Sequence, residues 1–230
     1  MTNSLDIFKG SETKHRQQPL YAGQFSLWLH RTRRMLAMGN GAKVPCGKCK
    51  GCCTSSYFIP IGPEETRTLK RIPKKLLFAA PFLPQGNMVL GYDEKGHCPM
   101  LIEGKCSIYD YRPLTCRNYD CRIFHAAGIA ADDDGKSPIN NQVVRWKFSY
   151  LTKNDRIQHS AIKAAAKFIS ENAVFFPNGK VPDKALQLAI LAIKVYELFL
   201  KRNYKSSEPM GIESGRKIAK AIMEASVGKI

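Results

Sequence analysis

The stretch Cys46-Gly47-Lys48-Cys49-Lys50-Gly51-Cys52-Cys53 places four cysteines within eight residues of a 230-residue chain. Cysteines three apart turn both sulfurs toward one centre, because the two residues between them form a tight turn. Cys46, Cys49 and Cys52 take that step twice, and Gly47 and Gly51 permit close backbone approach. A triple in this rhythm matches the opening of the bacterial ferredoxin pattern, in which the fourth cysteine comes from elsewhere. Zinc sites more often draw cysteines as separated pairs, so the triple favours a cluster, while irregular or multinuclear zinc stays open.

Cys53 diverges from Cys52, because neighbouring side chains point apart. It either completes a second site or binds through an unusual turn. The remaining ligands must return from Cys98, Cys106, Cys116 and Cys121. Between Met88 and Ile108, short apolar runs are broken by Asp93-Glu94-Lys95-Gly96 and Glu103-Gly104, which predicts a small hairpin bearing Cys98 and Cys106. Arg112-Pro113 predicts a helix from Leu114 to about Ala127, stopped by Gly128, with Cys116 in its first turn, where the dipole favours a thiolate. On such a helix Cys121 lies well around the surface from Cys116 and shares a face with Arg117 and His125. Cys121 is therefore the least engaged of the eight, although a Cys121–His125 pair offers a zinc alternative.

Outward from the cysteines, apolar spacing is mostly helical. Leu20 to Met38 reads as a helix with Phe25, Trp28, Leu29, Thr32, Met35 and Leu36 on one stripe, ended by Gly39-Asn40-Gly41. A short helix follows Gly62-Pro63-Glu64-Glu65, limited by Pro73. Ala131 to Asn141 reads as a loop. Ile157, Ala161, Ala164, Ala165, Phe168 and Ile169 form one later stripe, and Ala185, Leu188, Ala189, Ala192, Val195, Tyr196 and Phe199 a stronger one. Ile212, Ile218, Ala219, Ile222 and Met223 suggest a terminal helix. The expected fold is mainly α with a small β-hairpin: a compact helical domain carrying an irregular cysteine-rich metal-binding module. Residues 1–18 read as a mobile basic arm and 19–230 as a single compact domain, with 40–128 the cysteine-cluster module and 139–230 the helical part.

The first residues hold no apolar core of signal-peptide length. The longest apolar stretch, Leu188 to Ile193, is six residues between Gln187 and Lys194, far short of the roughly 20 needed to span a bilayer. The expected setting is the cytoplasm, without membrane, where cysteines are metal ligands more often than disulfides. Net charge is +17, from 36 basic and 19 acidic residues. That excess suits an acidic protein or non-specific nucleic acid, and it also offsets thiolate charge near Lys43, Lys48, Lys50, Lys105, Arg112, Arg117 and Arg122. Gly135-Lys136-Ser137 lacks the upstream glycine of a phosphate loop and follows Asp132-Asp133-Asp134. His15, His30 and His159 have no nucleophile or carboxylate at catalytic spacing, so no hydrolase triad emerges.

Taken in order, the run Cys46–Cys53, His97-Cys98-Pro99, and Cys106-Ser107-Ile108-Tyr109-Asp110-Tyr111-Arg112-Pro113-Leu114-Thr115-Cys116-Arg117 resemble the YkgJ-type CxxCxxCC family of zinc- or iron-chelating proteins. The resemblance covers about residues 40 to 128. It implies that Cys46, Cys49, Cys52, Cys53, Cys98, Cys106 and Cys116 are the cluster residues, with Cys121 a branch feature. A related cluster occurs in flagellin lysine methylases, which keeps an enzyme in view. Arg112 and Arg117 are candidates to hydrogen-bond the sulfurs or neutralise thiolates, the alternative being a surface pair such as Arg117–Asp120. The expectation is a metal-binding protein with an iron–sulfur cluster of [4Fe–4S] type or zinc, in a redox, sensing or metal-handling role. Its rivals are a redox or methyl-transfer enzyme and a structural-zinc module that binds RNA or an acidic partner.

Overall fold

The computed structural model describes residues 18–131, 137–200 and 211–227. The expected N-terminal arm, apart from Gln18, and the Asp132-Asp133-Asp134-Gly135-Lys136 segment lie outside the described residues. In chain order the elements are β1 Leu20–Gln24, α1 Phe25–Met38, β2 Ile59–Ile61, α2 Thr66–Leu69, β3 Leu77–Ala79, β4 Met88–Leu90, β5 Leu101–Ile102, β6 Lys105–Cys106, α3 Leu114–Asn118, α4 Arg122–Ala127, α5 Ser137–Val143, β7 Trp146–Ser149, α6 Lys153–Glu171, α7 Ala185–Val195 and α8 Ile212–Val227. The molecule is mainly helical with small sheets, as expected. α1, α4, α6 and α7 pack round one large core that includes Phe25, Phe124, Trp146, Phe168 and Ile193. A smaller core of Ile61, Ile72, Leu90, Met100 and Ile108 lies beneath the three-stranded sheet β2-β4-β3.

Periodicity explains the long helices. In α6, Ala161, Ala165, Phe168 and Ile169 of the expected stripe are buried, and Thr152 and Asp155 close a capping box at its start. Ile157, on the same expected stripe, is exposed. α7 buries Ala189, Ala192 and Val195, and a 3₁₀ turn, Tyr196–Phe199, buries Tyr196 and Phe199. α1 ends at Gly39, left-handed at φ 64°, as its glycine signal suggests.

Three expectations are corrected. The helix predicted from Leu20 begins at Phe25, because Leu20–Gln24 pairs in parallel with β7, and Gly23 takes φ +106°. The Ala131–Asn141 loop gives way to α5 from Ser137. Asn140 ties its own turn to Ala131, accepting from the backbone N–H at 2.7 Å and donating to the carbonyl at 3.0 Å. The single helix from Leu114 to Ala127 is two, broken at Tyr119, whose ψ of 123° is extended.

That break is held by a buried ion pair. Asp120 accepts from Trp28 Nε1 at 3.0 Å, from the Arg122 backbone N–H at 3.0 Å and from Arg122 Nε and Nη2 at 2.8 and 2.7 Å. The same guanidinium donates to the carbonyls of Ala22 at 2.9 Å and Lys43 at 3.1 Å. The alternative raised for Arg117, a pair with Asp120, is absent because Arg122 takes that carboxylate, and Arg117 stands 3.8 Å from Glu65 instead.

Two predictions follow from these packed polar groups. Arg122→Ala leaves Asp120 buried without its charge partner and should lower unfolding stability by about 3–5 kcal/mol in denaturant titration. Removing the more exposed Arg33, whose bridge to Glu197 spans 2.6 Å, should cost about 1 kcal/mol or less. Equal losses would refute the structural role of the buried pair. His159, 5% exposed, stacks on Phe25 at 4.5 Å and shares a 2.7 Å hydrogen bond with Tyr150. Burial, then nearby Lys163, pushes its pKa down to about 4. The folded chain thus refuses a proton that the unfolded chain accepts from about pH 6.5 downward, so stability is full above that pH and falls toward pH 4. The melting-temperature advantage of wild type over His159→Phe should shrink across that window; a constant gap would contradict the assignment.

Candidate metal centre

The segment entering the cysteine run is strapped down before its first thiol. Ala42 N–H donates to the Arg117 carbonyl at 2.7 Å, and the Lys43 carbonyl accepts from Arg122. Within the run, Cys49 N–H closes a turn on the Cys46 carbonyl at 2.9 Å, with Gly47 at φ +54°. Gly51 N–H points at Cys49 Sγ, 3.3 Å away. A 3₁₀ turn, Gly51–Thr54, then carries Cys52 and Cys53. Gly51 packs directly on α5: an added Cβ would meet the Pro138 carbonyl oxygen at 3.0 Å, so the site needs this glycine for close approach.

The other cysteines arrive on separate elements. Cys98 N–H donates to the Cys53 carbonyl at 2.8 Å. The expected hairpin is present as β5 and β6, where Leu101 pairs with Cys106 across a turn at Glu103-Gly104, but of its two expected cysteines only Cys106 lies in it and Cys98 precedes β5. Cys116 sits in α3, whose Thr115 Oγ1 donates to the Pro60 carbonyl in β2 at 2.8 Å. Cys121 lies just beyond the helix break, buried, and its sulfur accepts from Trp146 Nε1 at 3.2 Å.

All eight cysteines line one cavity of about 1240 Å³. Among the described residues its wall also carries Lys43, Lys48, Lys50, Lys105 and Arg112, with Glu103 as its one carboxylate and no histidine. Among the described residues, no three cysteine, histidine or carboxylate side chains meet closely enough to hold one ion. Cys46 and Cys52 are exposed because this open cavity is itself accessible, yet burial is the first cause of both raised thiol pKa values. Burial pushes Cys53 up to about 11 and Cys116 and Cys121 up to about 12, with neighbouring thiols adding to the rise. The Arg112 charge opposes that rise at Cys46, Cys53 and Cys116. Such thiols keep their protons at neutral pH until a cation displaces them, and a wall with eight cysteines and cationic neighbours fits a thiophilic metal.

The structure separates the other candidates. The Arg112 guanidinium lies 3.7 Å over the Tyr109 ring at the cavity wall, whereas Arg117 turns to Glu65. His125 is outside the wall, 5.8 Å from Phe148 and 6.2 Å from His159 by ring centres, so it does not join Cys121. Trp146 and the hydroxyl pair Tyr57–Tyr119, 3.0 Å apart, went unnoticed in the sequence. No motif marks them; only the opposite charges flanking Cys121 hinted that its surroundings were built.

No curated protein and no solved structure matches this chain. Residues 45–140, the stretch that holds all eight cysteines, match the CxxCxxCC family model, described as "Putative zinc- or iron-chelating domain".

Proposed function

We propose that this chain binds metal through the cysteines of the cavity, and that the group is an iron–sulfur centre of [4Fe–4S] type. The observation that carries the reading is the gathering of eight thiols, from five separate segments, on one cavity wall. The matched family's description supports zinc or iron in general. Three features support iron–sulfur over a lone zinc ion. Eight thiols line the cavity, twice the number that one tetrahedral zinc ion takes. The Cys46, Cys49, Cys52 rhythm is that of a ferredoxin run. Finally, N–H groups of Gly51 and Trp146 point at Cys49 and Cys121, the kind of bond that tunes a cluster's potential.

In this reading the residues of the chain hold and screen the group. Lys48, Lys50, Lys105 and Arg112 offset the negative charge of thiolates, and Trp146 fixes the direction of Cys121. A bound cluster would supply one-electron chemistry, which suits a redox, sensing or metal-handling role in the reducing cytoplasm. A second reading, a redox or methyl-transfer enzyme, rests on the cavity's apolar wall of Ile59, Leu90, Met100 and Ile139. Pockets of roughly 300–1,000 Å³ admit small substrates, and this one is large enough to hold one beside a metal group.

Protein purified without oxygen should be brown and contain iron with acid-labile sulfide. Colourless protein with stoichiometric zinc and no sulfide, even after anaerobic reconstitution, would contradict the iron–sulfur reading.

A further inference from the structure

We infer that the cavity holds two metal groups: Cys46, Cys49, Cys52 and Cys121 form one ligand set, and Cys53, Cys98, Cys106 and Cys116 form the other. The inference rests on the thiolate–metal reading above, but not on which metal is bound.

The divide falls between Cys52 and Cys53. They are adjacent in the 3₁₀ turn Gly51–Thr54, where successive side chains are rotated by about 120°. Neighbours at that angle face different parts of the cavity.

Cys53 belongs to the sheet side. Its carbonyl accepts the Cys98 N–H at 2.8 Å, and the Cys98 carbonyl accepts the Leu101 N–H at 2.9 Å. Leu101 stands opposite Cys106 in the β5–β6 register, so backbone bonds join these three cysteines into one corner. Cys98 and Cys106 pack against the small core of Ile61, Leu90, Met100 and Ile108. α3, which carries Cys116, is pinned to β2 of the same unit by Thr115.

Cys121 belongs to the helical side. It is part of the large core and is bonded to Trp146 of β7. Arg122, its neighbour, holds the Lys43 carbonyl, three residues before Cys46, and so brings the start of the run beside Cys121. Cys46 and Cys49 close one turn.

Each set supplies four thiolates, the complement of a tetrahedral ion or of a four-iron cluster.

The test counts metal, as iron plus zinc, with acid-labile sulfide, in the full-length protein purified without oxygen. Cys121→Ser and Cys116→Ser should each retain about half of the wild-type metal. Cys46→Ser combined with Cys121→Ser, within one set, should retain that same half, and Cys116→Ser combined with Cys121→Ser should retain none. Complete loss in either single variant, or full retention in Cys121→Ser, would overturn the two-group assignment. Should a variant fail to fold, the wild-type protein decides by itself. Stripping by EDTA in the presence of iodoacetamide, followed by intact-mass and peptide mapping, should yield molecules alkylated on one set of four while the other stays protected. Molecules passing directly from no adducts to eight, or half-stripped molecules with adducts mixed between the sets, would overturn it. Zinc without sulfide would defeat the iron–sulfur reading and leave this assignment standing, whereas a single iron–sulfur group would defeat this assignment alone.

Discussion

The buried Asp120–Arg122 pair is the constraint on which the cysteine module depends. Ions removed from water lose several kcal/mol of hydration each, so such a pair persists only when its bonding capacity is filled. Here the carboxylate takes Trp28 of α1 together with its partner, and the guanidinium takes carbonyls from β1 and from the segment entering the cysteine run. One ion pair therefore ties the α3–α4 bend to β1, to α1 and to the segment entering the cysteine run. It also forces the bend between α3 and α4. Without that bend, Cys121 would point away from Cys116 on one continuous helix; with it, both line the cavity.

This arrangement shows why parts of the fold were legible in the sequence and others were not. The buried face of α1, the stripes of α6 and α7 and the turn at Glu103-Gly104 are local patterns, written in spacing of three, four or two residues. The bend at Tyr119 has one local element, the Asp120 carboxylate that takes the Arg122 N–H and guanidinium, and no spacing pattern marks it. Leu114 to Ala127 contains no glycine or proline, and the break is set by Trp28 and Lys43, both far away in the chain. Leu20–Gln24 likewise becomes a strand only because Trp146–Ser149 is there to pair with it. α5 is a different case: Ser137-Pro138 is a local helix-start signal, set within the loop-like composition of Ala131 to Asn141.

The sequence marked the cysteines that line the cavity, but not which of them are neighbours. Spacing marked Cys46, Cys49 and Cys52 as neighbours and named the segments that would return to them. Spacing could not show that Cys98 hydrogen-bonds to Cys53, or that Trp146 donates to Cys121 across 25 residues of sequence. Those contacts determine which sulfurs share a neighbourhood. On the proposed reading the basic excess is also partly explained, since Lys43, Lys48, Lys50, Lys105 and Arg112 line the same cavity as thiols that would become anionic on binding metal.

The central claim is that metal in this protein is held by cysteine sulfur in the cavity and by nothing else. X-ray absorption at the edge of the bound metal, on anaerobic full-length protein, tests it directly. The account predicts a first shell of sulfur scatterers alone, with iron–iron scattering beyond it. A first shell containing nitrogen or oxygen from histidine or carboxylate would contradict it.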